Sequence, residues 1–366
     1  GKGTIDYVKG GGGSGDVTVE YIRNFYEGMK IKEAEGEVSL FHELPEFYEK
    51  NVKEQYAAGA VPGMTREPEV PDELVTKAKA FTDTAIITIC RFSGEGWDRK
   101  CQINDEGYEL FEDEKKQIEL SASIFENGDF CLTNGEAAMV EKVKANFKNV
   151  IVVMNVGGMV DTSWFKDCRE IPAVLMAWQG GMEGGLAAAD VVTGDVNPSG
   201  KLPYVVPFEE KDLPQVDWEA TEQYYEYYHG YTKLEKEGVA PLYPYGHGLS
   251  YTTFAVSDAT FDADETQVRA TCKVKNTGAV AGTEVVQMYV GFNNSKVDRP
   301  VKILRGFQRV ELAPGEEKEV TITCPIEKLA YYNASTLQME VEKMEYEMYI
   351  GTSSAKEDLI EGSVRV

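Results

Sequence analysis

The sequence has 366 residues, 42% of them hydrophobic, and a formal net charge of −25. That length suggests two or three domains with enough apolar mass for real cores, and the acidic excess argues against nucleic acid or an anionic membrane surface as a partner. No apolar run approaches the ~20 residues of a membrane helix. The six scattered cysteines include no CxxC pair and favour a reducing, cytoplasmic setting over a disulfide scaffold, with secretion left open. The histidines, His42, His229 and His247, show no metal-ligand spacing, so neither a metal nor another cofactor is expected.

In chain order, Gly1-Lys2-Gly3 read as residues that follow a first strand, which is expected to be missing, and no signal peptide is visible. The run Lys9-Gly10-Gly11-Gly12-Gly13-Ser14-Gly15-Asp16 matches a dinucleotide fingerprint only trivially, with no placed strand before it and no placed acid after it. It either lets backbone amides and Ser14 approach a ligand or is a flexible surface turn. The spacing of Tyr21, Ile22, Phe25 and Met29 predicts a helix within Val17–Lys30. Residues 37–81 read as mostly helical, punctuated at Pro62-Gly63, Pro68 and Pro71, with a helix start at Pro71-Asp72-Glu73.

Ala85–Cys90 is a short apolar run with β-branched residues, which suits a buried parallel strand. Arg91-Phe92-Ser93-Gly94-Glu95-Gly96-Trp97-Asp98-Arg99 follows it. Ligands of open α/β sheets sit beyond the carboxyl ends of the strands, so Glu95, between two glycines, stands where chemistry is done. A connection of roughly forty residues then reaches Leu132, longer than structureless loops usually run without a function. Glu95 is thus a candidate catalytic acid; Glu95, Asp98 and Arg99 forming a surface ion-pair turn is the plainer alternative.

Glu136–Phe147 predicts a helix, Val150–Asn155 a second buried strand, Ala173–Trp178 a third, and Leu186–Val192 a small-residue helix after Gln179–Gly185. This succession implies a mostly parallel three-layer α/β sandwich over residues 1–207. Residues 208–252 form a linker rich in tyrosine, from Tyr224 to Tyr245, which must pack against something, a neighbouring domain or a sugar. From 253 to 366, short alternating runs at Val268–Lys275, Glu284–Val290, Glu319–Cys324 and Tyr346–Ile350, set between turn signals, predict an all-β sandwich of the immunoglobulin or fibronectin type III kind.

Taken together, Lys9–Asp16, Ser93–Arg99, Trp178–Gly185, Thr193–Pro203, Tyr243–Phe254, Gly282–Val290 and Arg299–Phe307 resemble glycoside hydrolase family 3, which includes many β-glucosidases. The resemblance covers essentially the whole chain. It implies a (β/α)8 barrel, in the same protein or as a separate chain, that carries an aspartate nucleophile, while the α/β sandwich lends the general acid/base from a loop. Glu95 matches that acid/base position, and Ser14 matches a hydroxyl that reaches the sugar. Trp97 is a candidate for the aglycone side, and Asp98 and Arg99 for holding the loop's shape.

The expected substrate is a terminal β-D-glucoside or cello-oligosaccharide, with a β-xyloside as the alternative. The expected chemistry is that of a retaining enzyme with two carboxyl groups ~5–5.5 Å apart. The departures matter too. No barrel and no Ser-Asp-Trp-like nucleophile motif is found, and Val216-Asp217-Trp218 sits in an unsuitable linker context. This polypeptide alone is therefore not expected to turn over glycosides. A non-catalytic carbohydrate-binding module and a nucleotide-binding protein are the competing readings, and a homo-oligomer is left open.

Overall fold

The computed structural model describes residues 1–94, 112–213, 222 and 224–366. The chain divides into two compact units, the first spanning Gly1–Val196 and the second built from Asn197 onward.

In the first unit α1 (Phe25–Ala34), α2 (Glu43–Ala57) and α3 (Asp72–Phe81) precede β1 (Thr84–Arg91). There follow α4 (Glu112–Ile124), α5 (Asn134–Asn146), β2 (Asn149–Val156), β3 (Ala173–Met176) and α6 (Gly184–Thr193). The strands pair in the order β1-β2-β3, all parallel, with Ile87 opposite Val152 and Val153 opposite Leu175. On one face Phe25 and Met29 of α1 and Ala188 and Ala189 of α6 pack with Ile86, Val153 and Leu175. Alternation turns Ile87, Ile89, Val152 and Met154 to the other face, where each is at most 2% exposed. Both faces are covered along β1 and β2, which is why these two read as unbroken apolar runs, whereas Ala173 and Val174 of β3 are exposed.

Two expectations are corrected here. The helix expected within Val17–Lys30 begins only at Phe25, because Asn24 and Glu27 form a reciprocal capping box there; Tyr21 and Ile22 lie outside the helix and are exposed. The long connection after Glu95 is not without structure, since α4 lies within it.

In the second unit α7 (Gly230–Glu237) precedes nine strands among the described residues: β4 (Phe254–Ala263), β5 (Gln267–Asn276), β6 (Gly282–Gly291), β7 (Lys302–Leu312), β8 (Glu317–Pro325), β9 (Tyr331–Asn333), β10 (Gln338–Glu340), β11 (Glu345–Gly351) and β12 (Leu359–Arg365). They form an antiparallel sheet β12-β11-β6-β7, a sheet β4-β5-β8 and a small β9-β10 hairpin. Val268, Ala270, Cys272 and Val274 of β5 meet Val286, Met288 and Val290 of β6 in one core.

Tyrosines cover the outer side of β6. Tyr231 stacks on Tyr245 with ring centroids 4.7 Å apart, meets Tyr289 edge-on at 6.3 Å, and accepts the Leu304 N–H at 3.0 Å. Tyr224, Tyr225 and Tyr227 instead stay exposed. Residues 197–213 join this unit because their backbone pairs with 242–247: the Leu202 N–H donates to His247 at 2.8 Å and the Val206 N–H to Tyr243 at 2.9 Å.

Candidate active site

One buried side chain at the carboxyl end of β2 ties together the segment before the glycine-rich loop and the residues after β3. Asn155, near the end of β2, accepts the Val8 N–H at 2.7 Å and donates to the carbonyls of Val8 at 2.9 Å and Trp178 at 2.6 Å. It thereby holds the segment entering the glycine-rich loop against the residues leaving β3. Trp178 is fixed at φ 54°, in the left-handed region that non-glycine residues seldom occupy. Beyond it the Gly181 N–H donates to Lys9 at 2.7 Å and the Tyr7 hydroxyl donates to Gly181 at 3.1 Å.

Below the loop, Asp6 is fully buried and accepts from the Tyr56 hydroxyl at 2.6 Å, the Gly63 N–H at 2.7 Å and the Thr65 hydroxyl at 2.6 Å. Those bonds root the strand-end segment on α2 and on the turn after it.

The glycine-rich loop touches the residues that follow β1 backbone to backbone. A Cβ on Gly94 would lie 2.4 Å from the Gly12 nitrogen, so only glycine permits this approach. Gln179 Nε2 donates to the Ser93 carbonyl at 3.2 Å, and a Cβ on Gly157, after β2, would lie 2.4 Å from that same Nε2. Ser14 is exposed in the short turn Gly13–Gly15, on the loop that reaches Gly94. Glu95, Trp97, Asp98 and Arg99 lie outside the described residues, as does Val216-Asp217-Trp218. The described residues thus bring together Ser14's loop and Gly94, the residue before Glu95.

Arg91, the last residue of β1, gathers the far end of the long connection. It donates to the carbonyls of Asp129 and Cys131, both at 3.0 Å, and makes a two-pronged pair with Glu136 at 2.6 and 2.7 Å. Its guanidinium also lies over the Phe125 ring at 4.7 Å. Burial by itself would raise the Glu136 carboxyl, but Arg91's charge and hydrogen bonds outweigh it and hold the group below the usual carboxylate range.

Two other carboxylates border this edge, and both are held ionised. Hydrogen bonding from Tyr21, with help from Arg23, lowers Glu183, and hydrogen bonding from Lys9 lowers Asp16. A proton donor at neutral pH needs the opposite shift, so neither suits general-acid work. A carboxylate trio among the described residues, Glu35, Glu37 and Asp195, surrounds an ammonium: Lys32 Nζ lies 2.6 Å from Asp195, 3.0 Å from Glu35 and 3.9 Å from Glu37, with Asp190 also at 2.7 Å. A cation there already answers the acidic charge.

Sequence reasoning missed Asn155, Arg91 and Asp6 as organisers. The Thr133-x-x-Glu136 capping box is a legible signal for Glu136, and the structure forms it, with bonds of 3.0 and 3.1 Å. Nothing local marks Arg91 as its partner.

A covered parallel sheet with a glycine-rich strand-end site, in a chain that continues into an antiparallel sandwich, defines a two-part protein, an α/β unit followed by a β-sandwich. Residues 1–251 match the glycosyl hydrolase family 3 C-terminal domain, and residues 284–354 match a fibronectin type III-like domain. The chain belongs to glycoside hydrolase family 3. It is 44% identical to beta-glucosidase A of Butyrivibrio fibrisolvens, over 96% of this chain and 45% of that protein. It is 33% identical to a beta-glucosidase of Ruminococcus albus, over 98% of this chain and 36% of that protein. The structure of beta-glucosidase 3B from Thermotoga neapolitana in complex with α-D-glucose superposes with a TM-score of 0.85 at 32% identity, covering 100% of this chain and 49% of that one. The chain spans less than half the length of these relatives.

Proposed function

We propose that this chain supplies the acid/base side of a retaining β-glycosidase acting on terminal non-reducing β-D-glucosides or cello-oligosaccharides. Glu95 is the general acid/base, and the aspartate nucleophile comes from a (β/α)8 barrel outside residues 1–366. Protonated, Glu95 gives its proton to the leaving glycosidic oxygen while the nucleophile attacks the anomeric carbon; ionised, it then activates the water that releases the sugar. Ser14 contacts the sugar, Trp97 borders the aglycone, and Asp98 and Arg99 hold the loop's shape. On this reading residues 1–366 alone carry one carboxylate of the pair and do not turn over glycosides.

The observation that carries the reading is the close approach of Gly12 and Gly94. It joins the loop bearing Ser14 to the residue preceding Glu95 at the strand ends, where α/β sheets bind ligands. The lowered carboxyls of Glu183 and Asp16 leave the proton-donor role open for Glu95.

The test uses the full-length protein. Glu95→Gln and Glu95→Ala should lower turnover of cellobiose by about 10²–10⁴-fold. Glycosylation from an activated aryl glucoside should suffer less, and azide should rescue Glu95→Ala. Cellobiose hydrolysis at the unmutated rate would refute the assignment.

A further inference from the structure

The segment leaving β3 carries a side chain that the proposed chemistry does not yet use. The Ala177 N–H still pairs with the Met154 carbonyl at 2.9 Å, and Trp178 then breaks the strand at φ 54°. Asn155 holds the Trp178 carbonyl at 2.6 Å, so the break is fixed from β2. The next side chain, half-buried Gln179, reaches away from β3. Its Nε2 donates to the Ser93 carbonyl at 3.2 Å, just beyond the end of β1.

β1 and β3 flank β2. A contact between their ends spans two strand spacings, ~9.5 Å, and must pass over the end of β2. The residue at that point is Gly157. A Cβ on it would lie 2.4 Å from Gln179 Nε2, 2.8 Å from Gln179 Cδ and 2.7 Å from Ser93 Cβ. Gly157 does not have a positive φ, so what glycine supplies here is space. The register of β1 on β2 ends with Arg91 opposite Val156, and the Gly157 N–H donates to the Arg91 carbonyl at 3.1 Å. Two residues further on, at Ser93, the donor to β1's continuation is the Gln179 amide.

Glu95 stands two residues after Ser93 in the sequence. We propose that Gln179 is a positioning residue for the acid/base step: its amide fixes the backbone at Ser93, and with it the point from which Glu95 is delivered. The inference rests on the reading of Glu95 as the general acid/base. Gln179 itself touches no reacting atom on this account. A proton donor needs hydrogen-bond reach to the leaving oxygen, and a misplacement of ~1 Å can cost about 10²-fold in rate. A step that needs no proton from Glu95 tolerates the same displacement.

The test uses the full-length enzyme. It compares kcat/KM on cellobiose, whose leaving group needs a proton, with kcat/KM on a dinitrophenyl β-glucoside, whose leaving group does not. Gln179→Leu keeps the bulk and removes the donor. It should lower the cellobiose value by about 10–10²-fold and the dinitrophenyl value by less than about threefold. Both values come from one preparation, so unfolded protein lowers them alike and cancels in their ratio. Gly157→Ala should shift the ratio in the same direction, because its methyl displaces the amide. In a Glu95→Ala background no acid is left to position, and Gln179→Leu should change the cellobiose value by less than about twofold. Equal losses on the two substrates would make Gln179 a merely structural residue and overturn the proposal. So would an unchanged cellobiose value, or a full further loss in the Glu95→Ala background. Normal cellobiose hydrolysis by Glu95→Ala alone would refute the acid/base assignment itself, and the proposal would fall with it.

Discussion

Arg91 and Glu136 meet as a buried two-pronged ion pair, with nitrogen–oxygen distances of 2.6 and 2.7 Å and side chains 4% and 1% exposed. One residue ends β1, just before the connection that holds Glu95; the other caps α5, where that connection ends. The pair fastens the two ends of the long connection at its base. Glu136→Gln should leave the Arg91 charge without its counter-ion and cost about 3–5 kcal/mol, read by urea unfolding of residues 1–366.

The same pair sets a pH dependence. Glu136 has its carboxyl lowered in the folded protein from an ordinary value of 4.5. A lowered folded pKa means that the unfolded chain binds the proton more readily. The resulting stability is fully present above the ordinary value and is lost as pH falls through the folded one. Unfolding free energy measured between pH 6 and pH 3 should therefore drop on the acid side for the unmutated chain. The slope should flatten in the double variant Arg91→Met/Glu136→Leu.

Asn155→Ala should free the glycine-rich loop. The substitution removes the partners of the Val8 N–H and of two carbonyls, and each buried polar group left unmatched costs about 1–3 kcal/mol. Limited proteolysis should cut within residues 9–16 faster than in the unmutated chain. An unchanged cleavage rate would mean that the loop is held elsewhere.

Gly94→Ala tests the contact between the two loops. Its new methyl would sit 2.4 Å from the Gly12 nitrogen, on backbone that cannot rotate away. The loops must part, and in the full-length enzyme kcat/KM for an aryl β-glucoside should fall by at least tenfold, about 1.4 kcal/mol of lost transition-state stabilisation. A variant with unaltered kinetics would show that the spacing of the loops is unimportant.

Asn276 plays a comparable part in the second unit. Its Oδ1 accepts from the Thr252 hydroxyl at 2.7 Å and the Gly278 N–H at 3.0 Å, and its Nδ2 donates to Val280 at 2.8 Å and Leu312 at 3.1 Å. Asn276→Ala should destabilise that unit by about 2–4 kcal/mol, on the scale of a lost buried network. Loss of near-ultraviolet circular dichroism at a lower urea concentration would register it.

The strands β1 and β2 were readable because burial on both faces leaves an unbroken apolar run, and β5, β8 and β11 because burial on one face leaves an alternation; β3 shows its apolar run although Ala173 and Val174 are exposed, and β6 is buried on both faces from Val286 to Gly291. The helix Phe25–Ala34 was readable in kind and misplaced at its start, since Asn24's capping bond competes with an apolar spacing that continues upstream. The glycine loop and the Ser93–Gly94 turn could be picked out separately as sites of unusual backbone freedom. That they touch could not be read, because a glycine's need for space is visible only once its neighbour is in place.

By itself, then, the sequence determined the covered parallel sheet, the attached antiparallel sandwich and the family to which both belong. Each of these rests on local periodicity, turn chemistry or motif order. The tertiary structure decided the organisers of the site. Asn155 bonds to Val8 across 147 residues, Arg91 to Glu136 across 45, and Gly94 meets Gly12. A buried polar side chain must find a partner or pay its desolvation, but which partner it finds depends on how strands and loops far apart in the chain are brought to one edge of the sheet.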